Sequence, residues 1–529
     1  MRVIRHSNDW HRKRGDRAVQ RRHLAIALGL FIGATLPVAA RALPAKAQPP
    51  GATRAQRQAH PAPKSVNDWR PVVEGRLKNG LRYAILPRRA NEPGLGLLMR
   101  VEGGFIAEQR PGERGLAHLI EHLVFASPTT AAPYQVYRFP NIGLPLTFPA
   151  PTAGTTSWEE SNYFVSTRAT KLADLDTLLS LFREVAGDMT LRADAVAEQR
   201  ADVLREMGEK RYGNEIYARY VAAFAPGSPT DVIDAQNSDD VPTASIDTIR
   251  ALYHRLYRPE RMMIVVVGNV DPAKATALIR QRFENWQGVG PAPQWPPIPS
   301  VRTDRIMPIS YSARQDGRMV AMTGATFAIP APTATRSLQI ETTLMNMVFI
   351  SAITDRLRLT QPDSQPGKTG AYIENGENGY GLILLWDNLA ADHWRSGLAT
   401  LKKTTCDLQT QGLSDAEWAA ARRTVIGELE QRSAAMAGVP NVELAKDLSH
   451  ALAAGRALVP PNELLRHASA WFPTVDTEAG NRRWREKWRA GVEHVRLETP
   501  ELAQIKDPQA EIRALLDDAV GQNPGCKLR

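Results

Sequence analysis

Residues 112–127 read GERGLAHLIEHLVFAS and place two histidines and a glutamate inside one apolar run. His118 and His122 are four residues apart, so on a helix they share one face, one turn apart, and can chelate a single ion. Glu121 is one position off that face, where it reaches a metal-bound water without being a ligand. Zinc lowers the pKa of bound water from about 15.7 to about 7, so hydroxide becomes available near neutral pH. The spacing predicts a zinc site for hydrolysis; the alternative is two structural histidines on a partly buried helix.

A catalytic zinc site needs a third protein ligand, usually a histidine or a carboxylate. A second helical pattern, DAVAEQRADVLREMGEKR (194–211), offers four carboxylates: Glu198, Asp202, Glu206 and Glu209. Gln199, Val203 and Glu206 follow an i, i+4, i+7 pattern and therefore line one stripe of the helix. This spacing alone does not choose among the carboxylates.

The charge of the chain is concentrated at its start. Residues 1–47 hold ten Lys/Arg and two Asp, which is +8 of the formal +10, so the remainder is near neutral and we exclude nucleic acid as a partner. Residues 1–47 contain a basic region followed by a short apolar run (24–36), which predicts a signal peptide over 1–47. A signal peptide implies a periplasmic or secreted protein. The alternative is an uncleaved membrane anchor. Residues 48–67 are polar, rich in Pro and Ala, and predicted to be a disordered lead-in. The later sequence contains no apolar run of membrane-spanning length, so the mature form is not expected to span a membrane.

The remaining chain has the pattern of an α+β fold. Apolar runs around a Lys-Asn-Gly turn (75–86) predict a hairpin, and 95–104 predict a further strand. Apolar residues with helical spacing predict helices over 172–187 and from 194 to about 211. A buried strand and an amphipathic helix are predicted within 261–286.

A stretch with five prolines in thirteen residues, GVGPAPQWPPIPS (288–300), marks a domain boundary. We therefore predict an α+β domain over 68–287 that carries the zinc site, a Pro-rich linker over 288–302, and a second α+β domain without metal over 303–529. Cys406 and Cys526 are the two cysteines of the chain. They either pair in an oxidising compartment or remain a core thiol and a thiol on a loose tail.

Four motifs in order, NGLRYAILPR, GERGLAHLIEHLVF, EQRADVLREM and MMIVVVGNVDP with FENW, resemble the pitrilysin/insulinase family of zinc metallopeptidases. Its signature is an inverted zincin motif, H-x-x-E-H, followed by a helix of the form E-R-x-x-V-x-x-E. The resemblance implies that His118 and His122 are zinc ligands, that Glu121 is the general base, and that Glu206 is the third ligand of one zinc ion per chain.

Two features depart from the family pattern. A glutamate usually precedes the third ligand by seven residues, and Gln199 stands at that position, so Gln199 is the predicted supporting residue of the site. The distance along the chain between His122 and Glu206 is also longer than usual, which predicts a Pro-rich insertion at 137–154. The segment 152–164 is similar to the family's Asn-Ala-x-Thr segment and is predicted to form a strand beside the site.

The resemblance also implies an architecture and an activity. Two related domains, each a mostly antiparallel sheet packed against helices, would form half of a clamshell chamber, and Tyr372 with Arg358 or Arg356 would bind substrate. The expected activity is that of a zinc metalloendopeptidase, which hydrolyses peptides or unfolded polypeptide segments by Glu-assisted attack of water. The expected partners are a peptide substrate and a second two-domain chain, in a homodimer or a heterodimer. The alternative is a non-catalytic scaffold subunit of a related peptidase complex.

Overall fold

The computed structural model describes the chain between residues 69 and 528, with gaps. Outside the described residues lie 1–68, 70, 90–93, 136–138, 140–141, 145, 148–152, 227–236, 295–301, 314–319, 329–334, 361–368, 376–379, 389–392, 522 and 529. The predicted signal peptide (1–47) and lead-in (48–67) therefore lie outside them, as do parts of the predicted linker and of the Pro-rich insertion.

A first sheet forms in the N-terminal half of the described chain. Its strands are β1 (Val73–Arg76), β2 (Arg82–Pro87), β3 (Leu95–Glu102), β4 (Leu146–Thr147), β5 (Gly154–Thr156), β6 (Glu160–Thr167) and β7 (Met262–Gly268). The order is β1-β2-β7-β3-β6-β4, and β5 pairs with β6 beside this path. The pairs are antiparallel except for the parallel pair β2 and β7. Every residue of β7, MMIVVVG, is buried, as expected for a central strand covered on both faces.

Helices from the same half cover one face of this sheet. They are α1 (Leu116–Ala126), α2 (Leu172–Gly187), α3 (Ala193–Phe224), α4 (Ile246–Leu256) and α5 (Pro272–Phe283). Their apolar side chains form one core with the inward residues of the strands, including Leu97, Met99 and Tyr163. The strands and helices predicted for this half are present, although the predicted end of α3 near Arg211 is wrong.

Helix α3 continues to Phe224 because its last turn is held by tertiary packing. The Phe224 ring stacks on the ring of His494, with centroids 4.0 Å apart, and packs with Met322 and Leu384. Burial lowers the pKa of His494 to about 3, so this imidazole is neutral in the stack at ordinary pH. Such packing outweighs the weak helix propensity of the sequence after Arg211.

A second sheet forms in the C-terminal half. Its strands are β8 (Ile309–Ser312), β9 (Val320–Ala328), β10 (Thr369–Asn375), β11 (Tyr380–Asp387) and β12 (Val492–Glu498). The order is β10-β11-β9-β12-β8, with antiparallel pairs except for the parallel pair β8 and β12. The accompanying helices are α6 (Arg336–Thr360), α7 (Trp394–Thr410), α8 (Asp415–Ala435), α9 (Asn441–Ala453), α10 (Pro461–Trp471), α11 (Thr477–Arg489) and α12 (Pro508–Val520). Two mostly antiparallel sheets packed with helices confirm the predicted α+β class.

Helix α9 packs on the first sheet although it belongs to the second half of the chain. Val442 and Leu448 pack against Leu98 and Val265, on the face opposite α1. Arg88, which is 1% exposed, donates hydrogen bonds to backbone oxygens just before this helix and to the Asn441 side chain. The first sheet is therefore covered on both faces.

Cys406 and Cys526 form a disulfide between α7 and the C-terminal segment, which resolves the open alternative in favour of pairing. Both cysteines are buried. Among the described helices, none is long and apolar enough to cross a membrane.

Candidate metal centre

Helix α1 begins at a junction that suits a glycine. Gly115, just before the helix, has a φ of 84°, and a Cβ there would lie 2.7 Å from the Ser238 Cα. Glu108 stabilises the start of the helix, because its carboxyl oxygens accept hydrogen bonds from the backbone N–H groups of Gly115 and Ala117 at 2.9 and 2.7 Å. Strong local contacts therefore fix where the motif helix begins.

The apolar face of α1 explains how its polar residues come to be partly buried. Leu119, Ile120 and Leu123 are fully buried in the first core. The side chains of His118 and His122 are 12% and 18% exposed. The core face holds the helix in place, while the histidine face stays accessible to a ligand.

The structure brings the third predicted ligand to these two histidines. The Glu206 Oε2 lies 3.3 Å from the His122 Nε2 and 3.8 Å from the His118 Nε2. The ligand atoms of the three residues all lie within 4.8 Å of one another. Ligands about 2.1 Å from a tetrahedral zinc ion are about 3.4 Å apart, so the spacing and the N, N, O donor set fit one zinc ion.

Gln199 and Val203 face α1 from the same stripe of α3 as Glu206. Val203 is fully buried and Gln199 is 5% exposed. The Gln199 Oε1 lies 3.3 Å from the His122 Nδ1, and an amide oxygen can only accept, so this contact favours the tautomer with its proton on Nδ1. This tautomer leaves the lone pair of Nε2, the nitrogen on the side of Glu206, available to a metal ion.

The charges around His122 favour its protonated form in the absence of a cation. Burial lowers the pKa of His122, but the hydrogen bond with Glu206 and the negative charges of Glu121 and Glu206 outweigh burial and raise it. The same negative field that stabilises an imidazolium stabilises a bound metal cation. The electrostatics therefore suit a divalent ion.

Glu121 lies beside this cluster and is 8% exposed. Its Oε2 accepts a hydrogen bond from the Thr156 hydroxyl at 2.8 Å. The segment 152–164, predicted to form one strand beside the site, contains β5 and the first part of β6. Strand β5 makes this contact. The sequence analysis placed the segment 152–164 beside the site but did not single out Thr156 within it. It missed the helix-capping Glu108, which precedes the quoted motif 112–127.

The remaining predicted residues lie elsewhere. Tyr372 is on β10 and packs against the cluster that contains Phe224, Met322 and Leu384. Arg358 lies near the end of α6, and its Nη1 is 3.6 Å from the Oδ1 of Asp355. Arg356, the other candidate, forms a bidentate ion pair with the Glu417 carboxylate. The structure does not group these residues with the histidines, and their substrate-binding role stays a prediction.

Comparison with known families fits this centre. The protein-family sequence model described as "Insulinase (Peptidase family M16)" matches residues 88–218, which include both histidines, Glu121 and Glu206. The model described as "Peptidase M16 inactive domain" matches residues 243–425. Together the two matches cover more than half of the sequence. The chain belongs to the insulinase family, peptidase family M16.

Several members of this family resemble the chain over part of their length. It is 28% identical to the probable zinc protease PqqL of Escherichia coli over 221 residues, which are 40% of this chain and 23% of PqqL. It is 26% identical to the zinc protease PqqE of Helicobacter pylori over 219 residues, which are 40% of this chain and 46% of PqqE. The matched segment thus spans less than half of either relative.

Solved structures show the same fold. The first half of the periplasmic protease PqqL from E. coli has a TM-score of 0.71 at 19% identity, over 85% of this insulinase-family chain and 97% of that one. The full PqqL structure matches with the same TM-score over 88% of this chain and 51% of PqqL. A protease from H. pylori has a TM-score of 0.53 at 18% identity, over 81% of this chain and 99% of that one. The two-sheet arrangement is therefore that of half of PqqL.

Proposed function

We propose that this chain is an exported zinc-dependent peptidase that hydrolyses peptides or unfolded polypeptide segments. The observation that carries the proposal is the convergence of His118, His122 and Glu206 on one point, with ligand atoms within 4.8 Å of one another. The membership in a peptidase family supports the reaction class.

In this proposal, His118 and His122 would hold one zinc ion through Nε2, and Glu206 would hold it through a carboxylate oxygen. When bound, zinc supplies Lewis-acid activation of water and of the scissile carbonyl. Gln199 holds the His122 ring by accepting from Nδ1–H, the position where a carboxylate partner often stands in zinc sites. A neutral acceptor there fixes the ring orientation without adding charge.

Glu121 serves as the general base and then as the general acid. It takes a proton from the attacking water as the water oxygen bonds to the peptide carbonyl carbon. It returns that proton to the amine nitrogen as the C–N bond breaks, so the carboxylate is regenerated in each turnover. Its burial beside the histidines keeps the proton transfer out of bulk solvent.

Export and pairing are also part of the proposal. The buried Cys406–Cys526 disulfide suits an oxidising compartment, and the PqqL structure that shares the fold is that of a periplasmic protease. Because the chain corresponds to about half of PqqL, we propose that two such chains, identical or related, pair to enclose a peptide. Light scattering on the purified protein tests this, and a monomer at working concentrations would contradict self-pairing.

The test of the activity measures zinc content and cleavage of a quenched fluorescent peptide library by residues 48–529. Wild type is expected to hold about one zinc per chain and to cut, whereas Glu121→Gln keeps zinc and does not cut. Glu206→Gln is expected to lose zinc, while Glu198→Gln, the same change on the exposed side of α3, retains it. Zinc binding without cleavage would point to a missing partner chain. A protein without zinc would favour the scaffold alternative.

A further inference from the structure

Strand β5 packs against helix α1 beside the candidate general base, Glu121. Residues two apart on a strand face the same side, so Gly154 and Thr156 both face α1. The Thr156 hydroxyl is 2.8 Å from Oε2 of Glu121. A Cβ added to Gly154 would lie 2.7 Å from Oε1 of the same carboxylate. One short strand therefore meets both oxygens of Glu121.

The Thr156 hydroxyl is itself held in place. Its oxygen lies 3.2 Å from the Ser161 hydroxyl, and the two residues are directly paired across β5 and β6. Ser161 is 2% exposed, so its hydroxyl is fixed within the protein rather than by bulk water. When Ser161 donates to Thr156, the single proton of Thr156 is directed to Glu121.

Gly154 has no side chain, so it leaves a volume open beside Oε1 of Glu121. Its φ is not in the positive range that favours glycine, so an alanine could adopt the same backbone. An alanine methyl would however lie 2.7 Å from Oε1 of Glu121 and 3.0 Å from the Phe125 ring. The requirement for glycine here is one of volume beside a single carboxylate oxygen.

We propose that β5 is the positioning element of the general base. Thr156 holds Oε2 and thereby orients the carboxylate so that Oε1 exchanges protons with the attacking water. Gly154 preserves the volume beside Oε1 in which that water sits. This inference rests on the proposed peptidase function. Without the Thr156 hydrogen bond, the carboxylate rotates among several orientations, and the fraction of time spent in the productive one falls.

The experiment compares Thr156→Val, which keeps the shape and loses the donor, with Thr156→Ser, which keeps the donor. Removing a hydrogen bond to a charged group is expected to lower kcat about tenfold or more in Thr156→Val, with KM and zinc content unchanged. Thr156→Ser is expected to stay near wild type. Thr177→Val is the matched control, because its hydroxyl bonds to a backbone oxygen on α2, and it is expected to cut like wild type.

Gly154→Ala provides a second, independent variant. It is expected to lower kcat at least as far as Thr156→Val while zinc is retained, because the added methyl fills the volume beside Oε1. If Gly154→Ala cut like wild type, the assignment of that volume to the attacking water would be wrong.

A readout without metal or activity separates this inference from the proposed function. In the metal-free protein, Thr156→Val is expected to lower the unfolding midpoint more when Glu121 is present than in a Glu121→Ala background. If wild type cuts and Glu121→Gln does not, equal kcat in Thr156→Val and wild type overturns the inference, as does a Thr156→Ser variant as slow as Thr156→Val. If wild type cuts nothing, the kcat comparison is lost, the zinc content decides between a missing partner chain and failure of the proposed function, and the metal-free comparison decides the inference alone: equal shifts in both backgrounds overturn it.

Discussion

The disulfide between Cys406 and Cys526 gives a prediction with a calculable size. The two cysteines are 120 residues apart in the sequence, so the bond closes a long loop in the unfolded chain. The chain-entropy relation for such a loop gives about 5 kcal/mol of stabilisation at 25 °C. Cys526→Ser is therefore expected to lower the free energy of unfolding by up to about 5 kcal/mol.

This loss converts to a change in melting temperature. Unfolding entropy is about 2.1 cal/mol/K per residue, so a unit of about 460 residues that melts as one loses about 5 °C. If the second half melts on its own, the entropy is about half as large and the loss is about 10 °C. Differential scanning calorimetry of wild type and Cys526→Ser distinguishes the two cases.

Reduction is the control for the substitution. Wild type with a reductant is expected to melt like Cys526→Ser and Cys406→Ser, and the reductant is expected to change neither variant. Thiol titration of denatured, unreduced wild type is expected to find no free thiol. Two free thiols, or a melting temperature insensitive to reductant, would refute the reasoning.

Two further predictions concern charge. Gln199→Glu is expected to tighten zinc binding, because a carboxylate that accepts from Nδ1–H makes the His122 imidazole a stronger ligand. Competition with a chelator measures the zinc affinity, and weaker binding in the variant would contradict this expectation. The pKa of Glu417 is lowered to about 2; burial, the largest influence, raises it, but the hydrogen bond from Arg356 and those from Ser414 outweigh burial. A carboxyl group whose pKa is lower in the folded state stabilises the fold above its unfolded pKa of about 4.5 and ceases to do so as the pH falls towards 2. Arg356→Gln is therefore expected to be less stable than wild type at pH 6, by about 1 kcal/mol for such a partly exposed pair, with a difference that vanishes near pH 2; urea unfolding across this range checks the sign.

Local sequence patterns were sufficient to predict the helix that carries the H-x-x-E-H motif and the α+β class of the fold. The i, i+4 spacing of His118 and His122 is a property of one helix, so it could be interpreted without tertiary information. The choice of Glu206 was different in kind, since four carboxylates on one helical pattern were compatible with the spacing. The family resemblance singled out Glu206, and the structure places it with the histidines.

Contacts between distant parts of the chain could not be predicted in this way. Arg88 binds Asn441 across 353 positions, and Thr156 binds Glu121 across 35; no periodicity encodes either contact. The end of α3 was missed for the same reason, because Phe224 is held by His494 of the second sheet. Tertiary packing decides such features, and a single sequence does not reveal it.

Helix α9 limits how a gene for this protein could be divided. A break between Phe283 and Ile309 would produce an N-terminal fragment whose first sheet exposes Leu98, Phe164 and Val265 to water, because the helix that covers them would be on the other fragment. The C-terminal fragment would carry α9 with its apolar face uncovered. Each fragment would aggregate when expressed alone, and co-expression would be needed for the two to fold on one another. The two halves therefore cannot be recombined independently. A half from a homologous protein can replace one of them only if it also preserves the contact surface between α9 and the first sheet.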